Sequence, residues 1–304
     1  MKRELRDVGA SVRARLLEQA RKEQSDFQLL LTRYVLERLL YRLSASEYHD
    51  RFVLKGALLL SVWVGDRYRP TRDLDLLGYG DTEPEALTKI FRAICGETVI
   101  ADGVTFEVAK LEAELIREDA EYGGVRIRTT ASIAGARIPV QVDIGSGDAI
   151  RPAPVDIEYP TLLEFPAPYL RAYPVETIVA EKLEALVVLG MANSRLKDYY
   201  DLFLISQTFR LEQRLLAEAV RKTFERRGTA VPDGIPAGLT GEFATAWQTR
   251  WLGFVRRERM MPVPDDLGAI ITSLRDLMLP LIRGRDQNLE WPPGGPWSQN
   301  EHFF

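Results

Sequence analysis

The chain has 304 residues, of which 46% are hydrophobic, 40 are basic and 44 are acidic, which gives a net charge of −4. This composition predicts a globular protein of one large or two ordinary domains, and its net charge offers no overall attraction to nucleic acid. Two histidines and one cysteine cannot supply a Cys/His zinc cage or an internal disulfide, so any metal site should use oxygen ligands.

The N-terminal segment is too charged for a signal peptide, and no run of about 18 apolar residues indicates a membrane span. We therefore expect a cytoplasmic protein without a membrane partner. Apolar residues recur at three- and four-residue intervals over residues 11–43, which predicts helices that pack on the core. Ser25 or Asp26 is the expected N-cap of the second helix.

From Phe52 onward the pattern changes to strands and short helices. Strands are expected at 52–55, 74–78, 104–111, 124–134 and 137–145, and helices near 57–64 and 84–95. The last three strand runs follow one another without an intervening helix, which favours an antiparallel or mixed arrangement in that part of the sheet. Cys95 falls among apolar residues of the second short helix and is expected to be buried.

Six prolines punctuate residues 150–174, which we interpret as a connecting region, and helical periodicity dominates beyond it. We expect an α+β fold: a mixed sheet flanked by helices, followed by a helical C-terminal domain. The expected divisions are N-terminal helices over 1–50, a sheet core over 51–170, a helical domain over 171–285 and an extended tail over 286–304.

Two aspartates lie in one predicted strand. Residues i and i+2 of a strand point to the same side of the sheet, so the carboxylates of Asp73 and Asp75 converge, while Leu74 and Leu76 fill the other face. Asp143 occupies a polar-face position in the strand run 137–145. If the two strands are neighbours, three carboxylates meet, which suits a site for two magnesium ions. A solvent-facing strand that happens to be acidic is the alternative.

A possible phosphate site precedes the aspartates. Gly56 and the small Ala57 lie at the junction of a strand and a helix, where the backbone can approach a ligand and helix N–H groups can meet an anion. Arg69 and Thr71 could add a cation and a hydroxyl to the same phosphates. A tight turn at the glycine, and a surface ion pair at Arg69, would explain the same residues.

These features resemble a known family. FVLKGALLL followed by RPTRDLDLL, and further on YPVETIVAEKLEAL followed by RLKDYYDL, are similar to the AbiEii/AbiGii toxins (MenT-like toxins), which belong to the DNA polymerase beta-like nucleotidyltransferases. Ala57 stands where these toxins usually have a second glycine or a serine, and Thr71 where serine is common. The resemblance covers about residues 25–205. It implies the nucleotidyltransferase fold for the predicted mixed sheet.

The resemblance also implies roles for individual residues. Asp73, Asp75 and Asp143 would bind Mg²⁺ or Mn²⁺, and Asp143 would help to activate the acceptor hydroxyl. Lys182 and Asp198 fall on positions that the family uses in catalysis, Asp198 orienting Lys182. The residues expected to hold the nucleotide are Lys55, Gly56, Ala57, Arg69, Thr71 and Lys182.

The surroundings of Lys182 fit an anion-binding role. On a helix that starts after Pro174, Lys182 shares a face with apolar residues, where an ammonium group is costly without an anion. Asp198 and Asp201 are three residues apart and share a helical face. Snorkelling of Lys182 to solvent, or pairing with Asp198, remains the alternative, and Asp201 is expected to support the helix or Asp198.

A function follows from the resemblance: transfer of a nucleotide from an NTP to an acceptor, often the 3′ end of tRNA in this family, by the toxin of a toxin–antitoxin pair. The tRNA partner would need basic patches, for which arginine-rich residues 210–227 and 250–259 are candidates. An amphipathic helix with Trp247, Trp251 and Phe254 facing the core would look similar. A small-molecule or protein acceptor and a catalytically inactive binding subunit also remain open.

Overall fold

The computed structural model describes residues 7–65, 71–116, 123–258, 263–283 and 288–299. The chain divides into two compact units. The first comprises Met1–Val62, Pro70–Gly147 and Val155–Ala172, and the second comprises Trp63–Arg69, Asp148–Pro154 and Tyr173–Phe304. Within the described part, no helix is both long and apolar enough to cross a bilayer.

The helices of the first unit begin where the sequence predicts them. They are α1 (Val8–Glu23), α2 (Phe27–Ala45), α3 (Gly56–Val64) and α4 (Pro84–Cys95). The Asp26 carboxylate accepts a hydrogen bond from the Leu29 amide at 3.0 Å, which confirms it as the N-cap of α2. Cys95 is buried at the end of α4, as predicted, and burial raises the pKa of its thiol to about 12.

Helix α2 is buried nearly all round and carries charges that hold a distant segment. The Glu37 carboxylate accepts a hydrogen bond from the Leu162 amide at 2.7 Å, and the Arg38 guanidinium donates to the Pro166 carbonyl at 3.0 Å. The two side chains also pair with each other at 2.7 Å, and burial raises the pKa of Glu37 to about 7. The segment before the last strand of this unit is therefore fixed by polar contacts to α2 as well as by packing.

The first unit is built on one eight-stranded mixed sheet. Its strands are β1 (Phe52–Lys55), β2 (Asp73–Gly78), β3 (Thr105–Phe106), β4 (Glu112–Ile116), β5 (Gly124–Ile133), β6 (Ala136–Ser146), β7 (Val155–Glu158) and β8 (Tyr169–Ala172). The spatial order is β3-β5-β6-β2-β1-β8-β7, with β4 paired to β5. The β2–β6 and β1–β8 pairs are parallel and the remaining pairs are antiparallel, so the predicted mixed sheet is confirmed.

Two parts of the sheet differ from the prediction. The run 104–111 is not one strand: β3 is two residues long, and a 3₁₀ turn follows at Val108–Lys110, where Glu107 pairs with Lys110 and Arg137 at 2.6 and 2.9 Å. The connecting region 150–174 contains β7 and β8, which extend the sheet beyond β1. The prolines there lie outside these two strands, where their missing N–H groups cost no ladder hydrogen bond.

The second unit is mainly helical, which confirms the predicted helical C-terminal part. Its elements are α5 (Val175–Leu189), α6 (Leu196–Thr208), α7 (Gln213–Arg226), α8 (Gly241–Glu258) and α9 (Leu267–Ile282), with the short strands β9 (Leu211–Glu212), β10 (Leu289–Trp291) and β11 (Ser298–Gln299). Strand β10 lies between β9 and β11, and Trp291 is buried with its indole N–H donating to the Ser206 carbonyl at 2.9 Å. The described residues after Asn288 thus pack within this unit.

Candidate active site

Strands β2 and β6 bring the three predicted aspartates together. The strands are parallel neighbours, and their register places Asp75 directly beside Asp143. Asp73 lies two residues before Asp75 and points to the same side. Each carboxylate offers an oxygen within 4.8 Å of the other two, and all three side chains are half-buried. We call Asp73, Asp75 and Asp143 the carboxylate triad.

Neighbouring polar groups fix the outer two members of the triad. The Thr71 hydroxyl donates a hydrogen bond to Asp73. The guanidinium of Arg126 donates two hydrogen bonds to Asp143, from Nε to Oδ1 and from Nη2 to Oδ2, each 2.7 Å long. The Gln141 amide adds a weaker contact to Oδ2 at 3.3 Å. Because Thr71 has a single O–H, its proton is directed at the aspartate in this geometry.

The polar face of the sheet carries basic residues as well as the carboxylate triad. Arg126 lies opposite Asp143 in the β5–β6 pair, and Lys55 lies opposite Asp75 in the β1–β2 pair. The hydrogen bonds from Arg126 to Asp143 raise the pKa of the guanidinium despite its partial burial, so the arginine stays charged. Two basic residues therefore share the sheet face with the carboxylate triad, and neither cross-strand neighbour follows from residue spacing within one strand.

Gly56 is required by the triad itself. It begins α3 with a φ of 73°, a conformation that L side chains rarely adopt. A β-carbon built on Gly56 would lie 2.0 Å from Oδ2 and 2.7 Å from Cβ of Asp75. The glycine therefore makes room for the carboxylate of Asp75. Ala57, the next residue, is buried.

A second charged cluster lies in the second unit, between α5 and α6. The Lys182 ammonium donates to Asp198 at 2.6 Å and to Asp201 at 2.8 Å, and both carboxylates are fully buried. Arg195 also pairs with Asp198 at 2.8 Å. Burial alone would lower the pKa of Lys182, but the two aspartates outweigh it and raise the pKa above the usual lysine value. Lys182 is thus a fixed cation.

The geometry of Lys182 agrees with the pairing alternative and adds a second partner. An ammonium group has three N–H donors, two of which are directed at Asp198 and Asp201. Its side chain keeps only 15% of its surface exposed. Asp201, which we expected to play only a supporting part, contacts Lys182 as directly as Asp198 does. Sequence reasoning missed Arg126 as a partner of Asp143.

Not every predicted site residue can be placed. Arg69 lies outside the described residues. Lys55, Gly56, Ala57 and Thr71 belong to the first unit with the carboxylate triad, whereas Lys182 and Asp198 belong to the second unit.

Several basic residues of the first predicted patch, 210–227, pair with nearby acids. Arg221 and Lys222 pair with Glu225 at 2.8 and 2.9 Å. Arg227 lies 2.8 Å from Glu184 and 3.5 Å from Asp148 and Glu181. Arg210 pairs with Glu290. In α8, Trp247 and Trp251 are buried, as the amphipathic-helix alternative requires.

The donor set of the triad fits a hard divalent cation. Mg²⁺ takes oxygen ligands at about 2.0–2.1 Å, so ligands on opposite sides of one ion are about 4.2 Å apart. The triad oxygens already lie within 4.8 Å of one another, and they come from adjacent strands of a rigid sheet. A small side-chain adjustment would bring them to ligand distances. Mg²⁺ or Mn²⁺ therefore suits this site better than a metal that prefers nitrogen or sulfur.

A helix-flanked mixed sheet that carries three convergent carboxylates next to a strand–glycine–helix junction defines a nucleotidyltransferase. The chain belongs to the AbiEii family, because the family model described as nucleotidyl transferase AbiEii toxin, Type IV TA system, matches residues 38–272. Membership makes the protein a nucleotidyltransferase of a toxin–antitoxin family and implies an NTP as substrate and an antitoxin as partner.

Two solved structures are similar to the chain. One is the crystal structure of JHP933 from Helicobacter pylori, 14% identical, with a TM-score of 0.48, covering 81% of this chain and 91% of that one. The other, a candidate nucleotidyltransferase from H. pylori, has the same identity and TM-score and covers 84% and 98%. No curated protein matches the chain. The chain is assigned to its family by the family model alone, because structures 14% identical with a TM-score of 0.48 add no argument.

Proposed function

We propose that the protein transfers a nucleotide from an NTP to the 3′ end of tRNA, with release of pyrophosphate, and so inhibits translation in the cytoplasm. The observation that carries the proposal is the carboxylate triad, with oxygens within 4.8 Å of one another, in a chain of the AbiEii family. Three carboxylates on one sheet face suit divalent cations that neutralise a triphosphate.

When bound at the triad, Mg²⁺ would neutralise phosphate charge and orient the reacting groups. Asp73 and Asp75 would hold the cation, and Thr71 keeps Asp73 in place through its hydrogen bond. Asp143 would accept the proton of the acceptor hydroxyl. These roles follow from carboxylate chemistry and from the positions of the three side chains on β2 and β6.

Binding of the nucleotide is assigned to backbone and basic groups. The amides at the start of α3, next to Gly56 and Ala57, would receive phosphate oxygens, supported by Lys55. Lys182 is held in one direction by its two aspartates, and its role in nucleotide binding stays a prediction. The role of Arg69 in nucleotide binding stays a prediction.

A small-molecule or protein acceptor is the second candidate, and one observation favours it. Arg221 and Lys222 of α7 and the adjacent Arg227 pair with local acids, so this stretch offers less of the uncompensated positive charge that tRNA phosphates attract. The third possibility, an inactive binding subunit, is disfavoured by the complete triad, since all three carboxylates are present and convergent.

One assay separates the three possibilities. The protein and an Asp73→Ala variant are incubated with each labelled NTP, Mg²⁺ and total tRNA. We expect label on tRNA with the wild-type protein and none with the variant. Label on the protein alone, or on an added small acceptor, would overturn the tRNA assignment, and equal absence of NTP turnover in both proteins would support the binding subunit.

A further inference from the structure

Arg126 holds both oxygens of a proposed metal ligand. Its Nε and Nη2 atoms each lie 2.7 Å from an oxygen of Asp143, a two-point contact that fixes the carboxylate plane. The side chains keep 27% and 19% of their surfaces exposed, so solvent screens this pair only in part. Arg126 also lies near enough to Asp73 for the charge of that carboxylate to contribute to its raised pKa.

We propose that Arg126 is a positioning residue that competes with the divalent cation for Asp143 and so weakens cation binding at the triad until a nucleotide is present. The inference rests on the proposed function, because it takes the triad as the cation site. The catalytic groups remain the aspartates, and Arg126 acts through one of them.

The competition follows from charge and from ligand geometry. The carboxylate triad carries three negative charges, and Arg126 compensates one of them at hydrogen-bond distance. A divalent cation that takes an Asp143 oxygen must displace one arm of the guanidinium or lie beside it, and the two positive charges repel each other. A triphosphate brings negative charge to the same place and can receive the displaced arginine. Cation and nucleotide binding should therefore be coupled.

The same strand supplies a matched control. Arg128 lies two residues from Arg126 on β5, hence on the same face of the sheet, but it pairs with Glu114 on β4 instead of with a triad member. Arg126→Gln and Arg128→Gln remove the same charge from the same face. Only the first of them frees Asp143.

The test is Mn²⁺ binding to the full chain without nucleotide, measured by titration calorimetry. We expect Arg126→Gln to bind Mn²⁺ at least about tenfold more tightly than the wild type, because one adjacent positive charge is removed. Arg128→Gln should stay within about threefold of the wild type, since its charge is paired elsewhere. Arg126→Lys, which keeps the charge but loses the two-point grip, should lie between the wild type and Arg126→Gln.

The outcomes separate this inference from the proposed function. One outcome is that the wild type binds Mn²⁺ and Asp75→Asn abolishes this binding, while Arg126→Gln binds Mn²⁺ no more tightly than the wild type. That outcome would overturn the role of Arg126 and leave the metal site intact. Mn²⁺ binding that no triad substitution affects would overturn both. As a second measurement, Mn²⁺ should raise the thermal midpoint of Arg126→Gln more than that of the wild type, and an equal rise in both would contradict the competition.

Discussion

Three residues next to the carboxylate triad determine how it is arranged, although none of them is acidic. Gly56 leaves the space that Asp75 occupies, Thr71 directs its hydroxyl at Asp73, and Arg126 fixes the plane of Asp143. Thr71 and Arg126 thus limit the rotation of Asp73 and Asp143, and Gly56 leaves room for Asp75. Substitution of any of these three neighbours should change the site without removing a carboxylate.

Gly56→Ala tests the close approach to Asp75. The added methyl group would overlap the Asp75 carboxylate and would force an alanine to a φ of 73°. We expect loss of nucleotide transfer and destabilisation of more than about 3 kcal/mol in urea unfolding. The matched control is Gly135→Ala in the β5–β6 turn, where φ is 79° and nothing lies within 4 Å of the added carbon. That variant should lose only about 1–2 kcal/mol and keep its activity, and equal losses in both would contradict the steric account.

The buried thiol of Cys95 gives a second test at this scale. Because burial raises the pKa of this thiol to about 12, it forms almost no thiolate at pH 8. We expect the folded protein to resist a thiol-specific colorimetric reagent at this pH. The same protein in denaturant should release one equivalent per chain, since the sequence has a single cysteine. Rapid labelling of the folded protein would show that the end of α4 is open to solvent.

At the scale of elements, strand pairing in the first unit and helix pairing in the second each assemble one charged cluster. The parallel β2–β6 pair brings Asp143 beside Asp75, although the two are far apart in sequence. Helices α5 and α6 are joined by Lys182, which contacts two aspartates one helical turn apart. Both clusters depend on a rigid scaffold, so disruption of the element should disrupt the cluster.

Lys182→Met tests the pairing of α5 with α6. It removes the Lys182 cation from two fully buried carboxylates, of which Asp198 keeps its contact with Arg195, and we expect a loss of about 3–5 kcal/mol in the free energy of unfolding. Lys197→Met, which removes an exposed lysine from α6, should cost little. Because the pKa of Lys182 is raised in the folded state, its contribution is complete below the ordinary value of 10.5 and is lost only as the pH rises further. Equal stabilities of the two variants at pH 7 would contradict this role.

Period-two alternation was enough to predict the common face of Asp73 and Asp75 and the polar-face position of Asp143. It could not show which strands are neighbours, because pairing between distant strands leaves no local pattern. Arg126 was missed for that reason, although a signal existed: a two-residue turn at Ala134–Gly135 pairs Ile133 with Ala136 and, counted back along the hairpin, Arg126 with Asp143.

Strands β7 and β8 were missed because prolines flank both of these short segments, which follow no clear alternation. The segment between the two strands is held by Glu37 and Arg38 of α2, charged residues whose burial a hydrophobic pattern does not reveal. Similarly, Arg227 at the end of α7 pairs with acids of other segments, Asp148 and Glu184, so a count of arginines along this stretch overestimates its positive charge.

At the scale of the whole molecule, the sequence resemblance, the triad and the family match describe a nucleotidyltransferase toxin of the AbiEii family. The first unit carries the proposed metal ligands and the second carries the lysine–aspartate cluster. The acceptor and the antitoxin are the two partners that define its biological effect, and the acceptor can be identified directly from the labelled product.

We infer that the carboxylate triad carries out nucleotide transfer. The most direct measurement is the rate of pyrophosphate release with the four NTPs, Mg²⁺ and total tRNA, for the wild type, Asp75→Asn and Asp156→Asn. The last variant makes the same change at an exposed position of β7 in the same sheet. We expect release with the wild type and Asp156→Asn, a decrease of at least about a hundredfold in Asp75→Asn, and no release without Mg²⁺. Undiminished release from a folded Asp75→Asn variant would contradict the claim.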